Sequence, residues 1–212
     1  MILAQIVSVN VGQTRIQGGS GRAYPTAIAK TPCSGSVAVD PLGLQGDQQA
    51  DRTHHGGPDQ AVHAHFTRHL ATWSELRGTP LLPGEIGENL TLADADEGSF
   101  CIGDIVQAGT AKLQVTQPRV PCYKQADRLG IPHAVAMAKQ TGRTGLYFRV
   151  LESGAVAAGD RVRLLERPHP EISVAFVNHV LHVDHGQAAR VAACPELGAR
   201  LRPAVTEAGR RG

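Results

Sequence analysis

Glycine and proline interrupt this chain too often for long helices or long buried strands to persist over most of its length. Of the 212 residues, 24 are glycine and 13 proline, and most of them precede residue 171. They leave short apolar runs: Ile2–Val9, Thr26–Lys30, Ser36–Val39, Asn89–Leu92, Ile105–Ala108, Lys112–Gln117, Leu146–Val150 and Arg161–Leu165. Several alternate apolar and polar residues, as in Leu113, Val115 and Val162, Leu164, which is the signature of a half-buried strand. Many short strands with frequent turn signals predict a mainly β fold, a closed or partly closed β-barrel with few helices. The spacing of Val62, Phe66, His69, Leu70 and Trp73 predicts an amphipathic helix from Pro58 to Arg77, stopped by Gly78. A second helix is expected over Ile131–Thr141, closed by Gly142.

Pro168-His169-Pro170 marks a boundary between a barrel domain, 1–167, and a small helical extension, 168–212. Beyond it glycine thins out, and Ser173–Val183, Gly186–Ala193 and Pro195–Ala208 read as three short helices, with Pro203 kinking or shortening the last. So short a unit buries little by itself, so it is expected to dock on the barrel or on a partner.

The totals exclude several classes of function. The net charge is +2, aromatic residues make up 4%, and no basic stripe is interleaved with rings, so nucleic acid is not an expected partner. No apolar run reaches the roughly 18 residues of a membrane span. The start, Met1-Ile2-Leu3-Ala4-Gln5, lacks the basic region of a signal peptide. Cys33, Cys101, Cys122 and Cys194 form no CxxC and read as thiols in a reducing compartment, so a cytoplasmic location is expected.

Three segments carry candidate chemistry. In Gln117-Pro118-Arg119-Val120-Pro121-Cys122-Tyr123-Lys124, two prolines stiffen a loop around one thiol, and Arg119 and Lys124 favour its thiolate, the form that attacks electrophiles and binds soft metals. Alone, the motif fits a small buried cysteine equally well. The second segment, Gly46-Asp47 to His63, is dense in polar groups. Gly56 and Gly57 permit close backbone approach at a helix start, which suits phosphate or another anion. His54 and His55 flank them, and Asp59 can orient an imidazole or cap the helix. His54, His55, His63 and His65 lack zinc-finger spacing, and His63 and His65, two apart on a helix, would face different ways, which disfavours a histidine metal site. In the third, Gly84-Glu85-Ile86-Gly87-Glu88-Asn89, a glycine turn would present Glu88 or Asn89 to a site. Gly103-Asp104 and Gly159-Asp160 read as tight turns, and Cys33, Cys101 and Cys194 as structural.

Taken in order, Ala27-Ile28-Ala29-Lys30, Gly46-Asp47, Asp51, His55-Gly56-Gly57-Pro58-Asp59, Ala61-Val62, Gly87-Glu88-Asn89-Leu90, Gly103-Asp104 and the Cys122 segment resemble the MOSC domain, the module named after the C-terminal part of molybdenum-cofactor sulfurases. The likeness spans essentially the whole chain and is greatest to stand-alone YiiM-like members with a small "three-alpha" helical extension. It implies a MOSC-type β-barrel and the molybdenum cofactor, a pterin dithiolene bearing a phosphate, as ligand. It also implies that Cys122 is the family's cysteine, proposed to ligate molybdenum or to carry sulfur. Pyridoxal phosphate binding comes with the family only as an association, and no pyridoxal-binding domain is evident.

On that resemblance the site would consist of Cys122 as metal ligand, His55 as proton donor and Asp59 or Glu88 behind it. The anionic cofactor would meet Lys30, His54, Gly56, Gly57, Glu88, Asn89, Arg119, Lys124 and Arg149. The implied activity is reduction of a small N-hydroxylated substrate such as hydroxylaminopurine. No Rossmann GxGxxG and no iron–sulfur cysteine cluster is present, so electrons would come from a separate donor protein. The helical tail is a candidate surface for homodimerisation. Two other readings stay open: a persulfide carrier for cofactor sulfuration, and a non-enzymatic cofactor-binding module.

Overall fold

The structure, a computed structural model, describes residues 1–18, 23–51 and 56–210. Seven strands close into a barrel: β1 (Ile2–Val11), β2 (Val62–Phe66), β3 (Leu90–Ala93), β4 (Ile105–Ala108), β5 (Ala111–Pro118), β6 (Leu146–Glu152) and β7 (Arg161–Glu166). Around the ring the order is β1-β3-β2-β6-β5-β4-β7, and β7 returns to β1 with Ala4 opposite Val162. Strand β1 serves both neighbours by shifting register between Ile2 and Ala4 and again between Ile6 and Ser8, the bends that closure of a short-stranded barrel requires. All neighbours run antiparallel except β2 and β3. A parallel pair needs a long crossover, and helix α1 (Thr67–Arg77) lies within it.

This arrangement corrects the helix expected over Pro58–Arg77. Pro58–Gln60 is a single 3-10 turn, Val62–Phe66 is strand β2, and only Thr67–Arg77 is helical. The helical spacing of Val62 and Phe66 with His69 and Trp73 coincides with a run that also alternates: Val62, Ala64 and Phe66 enter the barrel core, while His63 and His65 occupy the other face. Backbone pairing with β6 and β3 on both sides decides in favour of the strand. The strand expected over Thr26–Lys30 is also displaced: Ala23–Thr26 pairs with Arg15–Gly18, and residues 27–30 are irregular.

Helices α2 (Tyr123–Leu129) and α3 (Ala134–Thr141) follow the Cys122 loop, and both stop at glycines in the left-handed conformation, Gly130 and Gly142. Leu129, Ile131, Ala134 and Ala138 pack with Leu70, Trp73, Leu81 and Ile86 in a second apolar cluster beside the barrel. That cluster anchors the helical side of the Cys122 loop, while β5 anchors the other.

In the C-terminal segment, α4 (Val174–His182) is capped by Ser173, whose hydroxyl accepts from the Phe176 N–H at 3.0 Å. Helix α5 (Ala188–Ala192) is shorter than expected. The helix expected over Pro195–Ala208 is confined to α6 (Arg202–Ala208), where Pro203 fits the first turn because no N–H is needed there. Ile172, Val174, Val177, Val180, Val191, Leu197, Leu201 and Val205 belong to the same apolar cluster as the barrel interior. Phe100 is the hinge of that cluster. Its ring lies 6.0 Å from both Phe66 and Phe148, and its carbonyl accepts from Val174 N–H at 2.8 Å. Phe100→Ala should cost about 3–5 kcal/mol, read as a lower urea midpoint, because it empties a fully buried site between barrel and extension.

Candidate functional site

Three walls meet at a cleft beside the barrel. One is the irregular stretch after Ala23–Thr26, with Ile28 and Lys30; one is the loop 47–51 continuing at Gly56 and Gln60; the third is the Cys122 loop with Arg119 and Lys124. His63 of β2, Tyr147 of β6 and Asn89 line it as well. Close packing of the walls depends on Gly87, at φ +90°, where a Cβ would stand 2.8 Å from Ile28 Cγ1.

Cys122 is half-buried, extended at φ −132°, and precedes α2; its carbonyl accepts from Gln125 N–H at 3.0 Å. Arg119 is buried. One guanidinium nitrogen stands 3.7 Å from Cys122 Sγ, and another donates to Gln125 Oε1. A fixed cation therefore faces the thiol, an arrangement that favours a thiolate ligand or nucleophile. Lys124 lies 3.9 Å from Asp51 and over the Tyr24 ring, 5.5 Å from its centroid.

Lys30 is buried and ion-paired with Asp47. Asp47 also accepts from Gly12 N–H at 2.7 Å and from the Asn89 amide at 2.9 Å. Burial pulls the Lys30 ammonium below its ordinary value, and Asp47 opposes this. The cation is thus held at the cleft by a carboxylate that is itself fixed from two further sides. Asn89 is locked in turn, accepting from His63 N–H at 3.1 Å.

His63 and His65 sit on one face of β2, their ring centroids 6.2 Å apart, and His65 continues to His69 at 5.5 Å. His69 bonds Glu97 at 2.7 Å, and Glu97 accepts the N–H groups of Thr144 and Gly145. His63 Nδ1 lies 3.1 Å from the Gly87 carbonyl, which assigns the proton to Nδ1 and leaves Nε2 a lone pair. Burial, then Arg119, push His63 down to about 3, and burial, then His69, hold His65 well below its ordinary value. Neither His63 Nε2 nor either ring nitrogen of His65 has a hydrogen-bond partner among the described residues. Gly145, at φ +75°, makes the room, since a Cβ there would stand 2.7 Å from His65 Nδ1 and 3.0 Å from His63 Nε2. Tyr147, opposite His63 in the ladder, has its hydroxyl pushed up by burial, with Arg119 opposing.

The structure thus brings together Cys122, Lys30, Gly56, Asn89, Arg119 and Lys124 at one cleft. His54 and His55 lie outside the described residues. Four other expected positions are elsewhere. Gly57 lines a separate depression with Arg200. Glu88 is fully buried behind the cleft, accepting from Gly84 N–H and the Thr91 hydroxyl, its carboxyl pushed up by burial. Asp59 and Arg149 pair at 2.9 Å outside the cleft. Asp59 also accepts from Ala199 N–H at 2.8 Å, and Arg149 donates to the Glu196 carbonyl at 3.1 Å, so the pair ties the barrel to the extension. The diglycine turn is not the anion cradle expected either. It opens a single 3-10 turn, and Gly56 N–H already donates to Gln60 Oε1 at 3.0 Å. Positive charge at the cleft comes instead from the side chains of Lys30, Arg119 and Lys124, with Asp47 answering Lys30 and Asp51 lying 3.9 Å from Lys124. His63, Asp47 and Tyr147, which were not among the expected site residues, also line the cleft. The alternation Val62-His63-Ala64-His65-Phe66 was the available signal for the first.

The cleft thus combines a half-buried thiol with Lys30, Arg119 and Lys124 beside the barrel. The chain belongs to the MOSC domain family, whose pattern it matches over residues 51–163. That family is associated with molybdenum-cofactor binding. The chain is 40% identical to the uncharacterised protein YflK of Bacillus subtilis over 84% of its own length and 81% of that protein's. It is 35% identical to a Gibberella moniliformis protein named "Reductase", over 91% of this chain but 35% of that longer protein. The crystal structure of YiiM from Geobacillus stearothermophilus superposes with a TM-score of 0.81 at 36% identity, covering 97% of this chain and 98% of that one.

The buried histidines make stability pH-dependent with a definite sign. Their folded values are depressed, so their contribution is complete above the unfolded histidine value of about 6.5 and is lost as pH falls below it. Each should add a slope of up to about 1.4 kcal/mol per pH unit between about pH 6.5 and 5. Urea midpoints across this range should fall less steeply in His65→Leu than in the wild type.

Proposed function

We propose that the cleft binds the molybdenum cofactor, with Cys122 as the protein's ligand to the metal, and that the protein reduces small N-hydroxylated substrates such as hydroxylaminopurine. The observation that carries this reading is the convergence of Cys122 with Lys30, Arg119 and Lys124 in one cleft. The donor set fits the cofactor: a thiol suits the metal, and the cations suit a phosphate-bearing anion. The family, and the name of the longer fungal relative, support redox chemistry.

When bound, the cofactor supplies a metal that exchanges electrons in pairs. The chain's residues bind and orient it. Arg119 faces the Cys122 sulfur at 3.7 Å, and Lys30, ion-paired with Asp47, stands at the cleft wall where the ligand's charge would lie. Cleaving N–OH to N–H and water consumes two electrons and two protons, so a proton donor belongs beside the site. We assign this role to His55. His63 lines the cleft but is buried and held neutral, so it does not supply the proton. Electrons arrive from a separate donor protein.

Protein made in a host that synthesises the cofactor should contain molybdenum, and Cys122→Ala should retain about tenfold less or lower still. Equal molybdenum in the two proteins would overturn the ligand assignment. Hydroxylaminopurine turnover with an artificial reductant should disappear in the same variant. Bound molybdenum without turnover in the wild type would leave a binding module instead.

A further inference from the structure

On the far side of the Asp59–Arg149 link, His169, Cys194 and Glu196 converge, with their ligand atoms all within 4.8 Å of one another. His169 Nε2 lies 2.8 Å from Glu196 Oε2, and Cys194 Sγ lies 3.5 Å from the same oxygen. A tetrahedral cation with metal–sulfur near 2.3 Å and metal–nitrogen or metal–oxygen near 2.0–2.2 Å holds its donors about 3.2–3.7 Å apart. The two hydrogen-bonded separations, 2.8 and 3.5 Å, lie just below and within that range, and no pair of ligand atoms is more than 4.8 Å apart.

We propose that His169, Cys194 and Glu196 form a binding site for a zinc-like divalent cation that joins the barrel linker to the C-terminal extension. One nitrogen, one sulfur and one carboxylate oxygen form a donor set for zinc, and also for cobalt(II) or nickel(II), rather than for magnesium or calcium. Two anionic ligands and a neutral imidazole balance a doubly charged ion. Cys194 is 2% exposed, while the His169 and Glu196 side chains are 25% and 23% exposed. The soft donor is thus shielded, and the open side admits the ion and a water as fourth ligand.

The backbone carrying these groups is fixed before any ion arrives. The Arg202 guanidinium donates to the carbonyls of Ala192, Cys194, Pro195 and Leu197, and Arg149 donates to that of Glu196. Gly103, at φ +85°, lets the linker and the Cys194 loop approach each other, since a Cβ there would stand 2.8 Å from Pro168 Cγ and 3.2 Å from Glu196 Cγ. Coordination exchanges the thiol proton for the metal and releases it to solvent, so binding tightens as pH rises.

The test uses full-length Cys122→Ala protein, freed of metal, so that the cleft thiol cannot contribute. Titration with cobalt(II) should produce a thiolate-to-cobalt charge-transfer absorption that saturates at about one equivalent and is erased by zinc(II). Zinc(II) at a hundredfold excess over its Kd should raise Tm by roughly 5–10 °C. Cys194→Ala should abolish the absorption, and His169→Ala and Glu196→Gln should each weaken cobalt binding about tenfold. The last two positions are partly exposed, so they keep the test decisive if loss of Cys194 unfolds the chain. No absorption in the Cys122→Ala protein, its survival in Cys194→Ala, or undiminished binding in both other variants would overturn the proposal. None of these readouts depends on the cleft's ligand, so a failure here leaves the cofactor reading standing, and the reverse holds too.

Discussion

A closed barrel permits no unpaired strand edge, and this requirement governs the rest of the molecule. Between β6 and β3 the ring needs a strand, and Val62–Phe66 is the segment that fills the place. Once this segment is extended, side-chain direction follows with a period of two. Val62, Ala64 and Phe66 turn to the apolar interior, and His63 and His65 turn outward to the cleft and to the helical layer over it. A backbone demand thereby sets two uncharged imidazoles beside the thiol-bearing loop.

Charge within the cleft is arranged on the same frame. Lys30 comes from an irregular stretch, yet it is immobilised because Asp47 answers it and is itself held by Gly12 and Asn89. Such a chain of bonds lets a cation sit in a poorly solvated place without losing its charge to desolvation alone. Arg119 is held in similar fashion by Gln125 while it faces Cys122. The cleft therefore presents positive charge on fixed supports, the preorganisation that binding an anionic ligand calls for.

Much of this was legible in the residues. Proline and glycine density announced a barrel of short strands, and the expected positions Cys122, Lys30, Asn89, Arg119 and Lys124 lie along one cleft. The losses have physical causes. Spacings of three and four across residues 62–73 mimic a helix, and only pairing with strands distant in sequence breaks the tie. Asp59 and Arg149 carry the charges of a binding site but spend them on each other and on the extension, a long-range partnership that local chemistry does not disclose. The diglycine turn looked ready for an anion because the Gln60 side chain, which occupies the Gly56 N–H, lies within the same motif and has no signature of its own.

Arg200 donates to the Gly56 carbonyl at 3.0 Å, while Asp59, three residues on, receives the Ala199 N–H. Two adjacent residues of the extension therefore grip the strip of chain that rims the cleft. Displacing residues 199–200 would therefore break hydrogen bonds at residues 56 and 59, so the packing of the extension and the position of the cleft rim are set together.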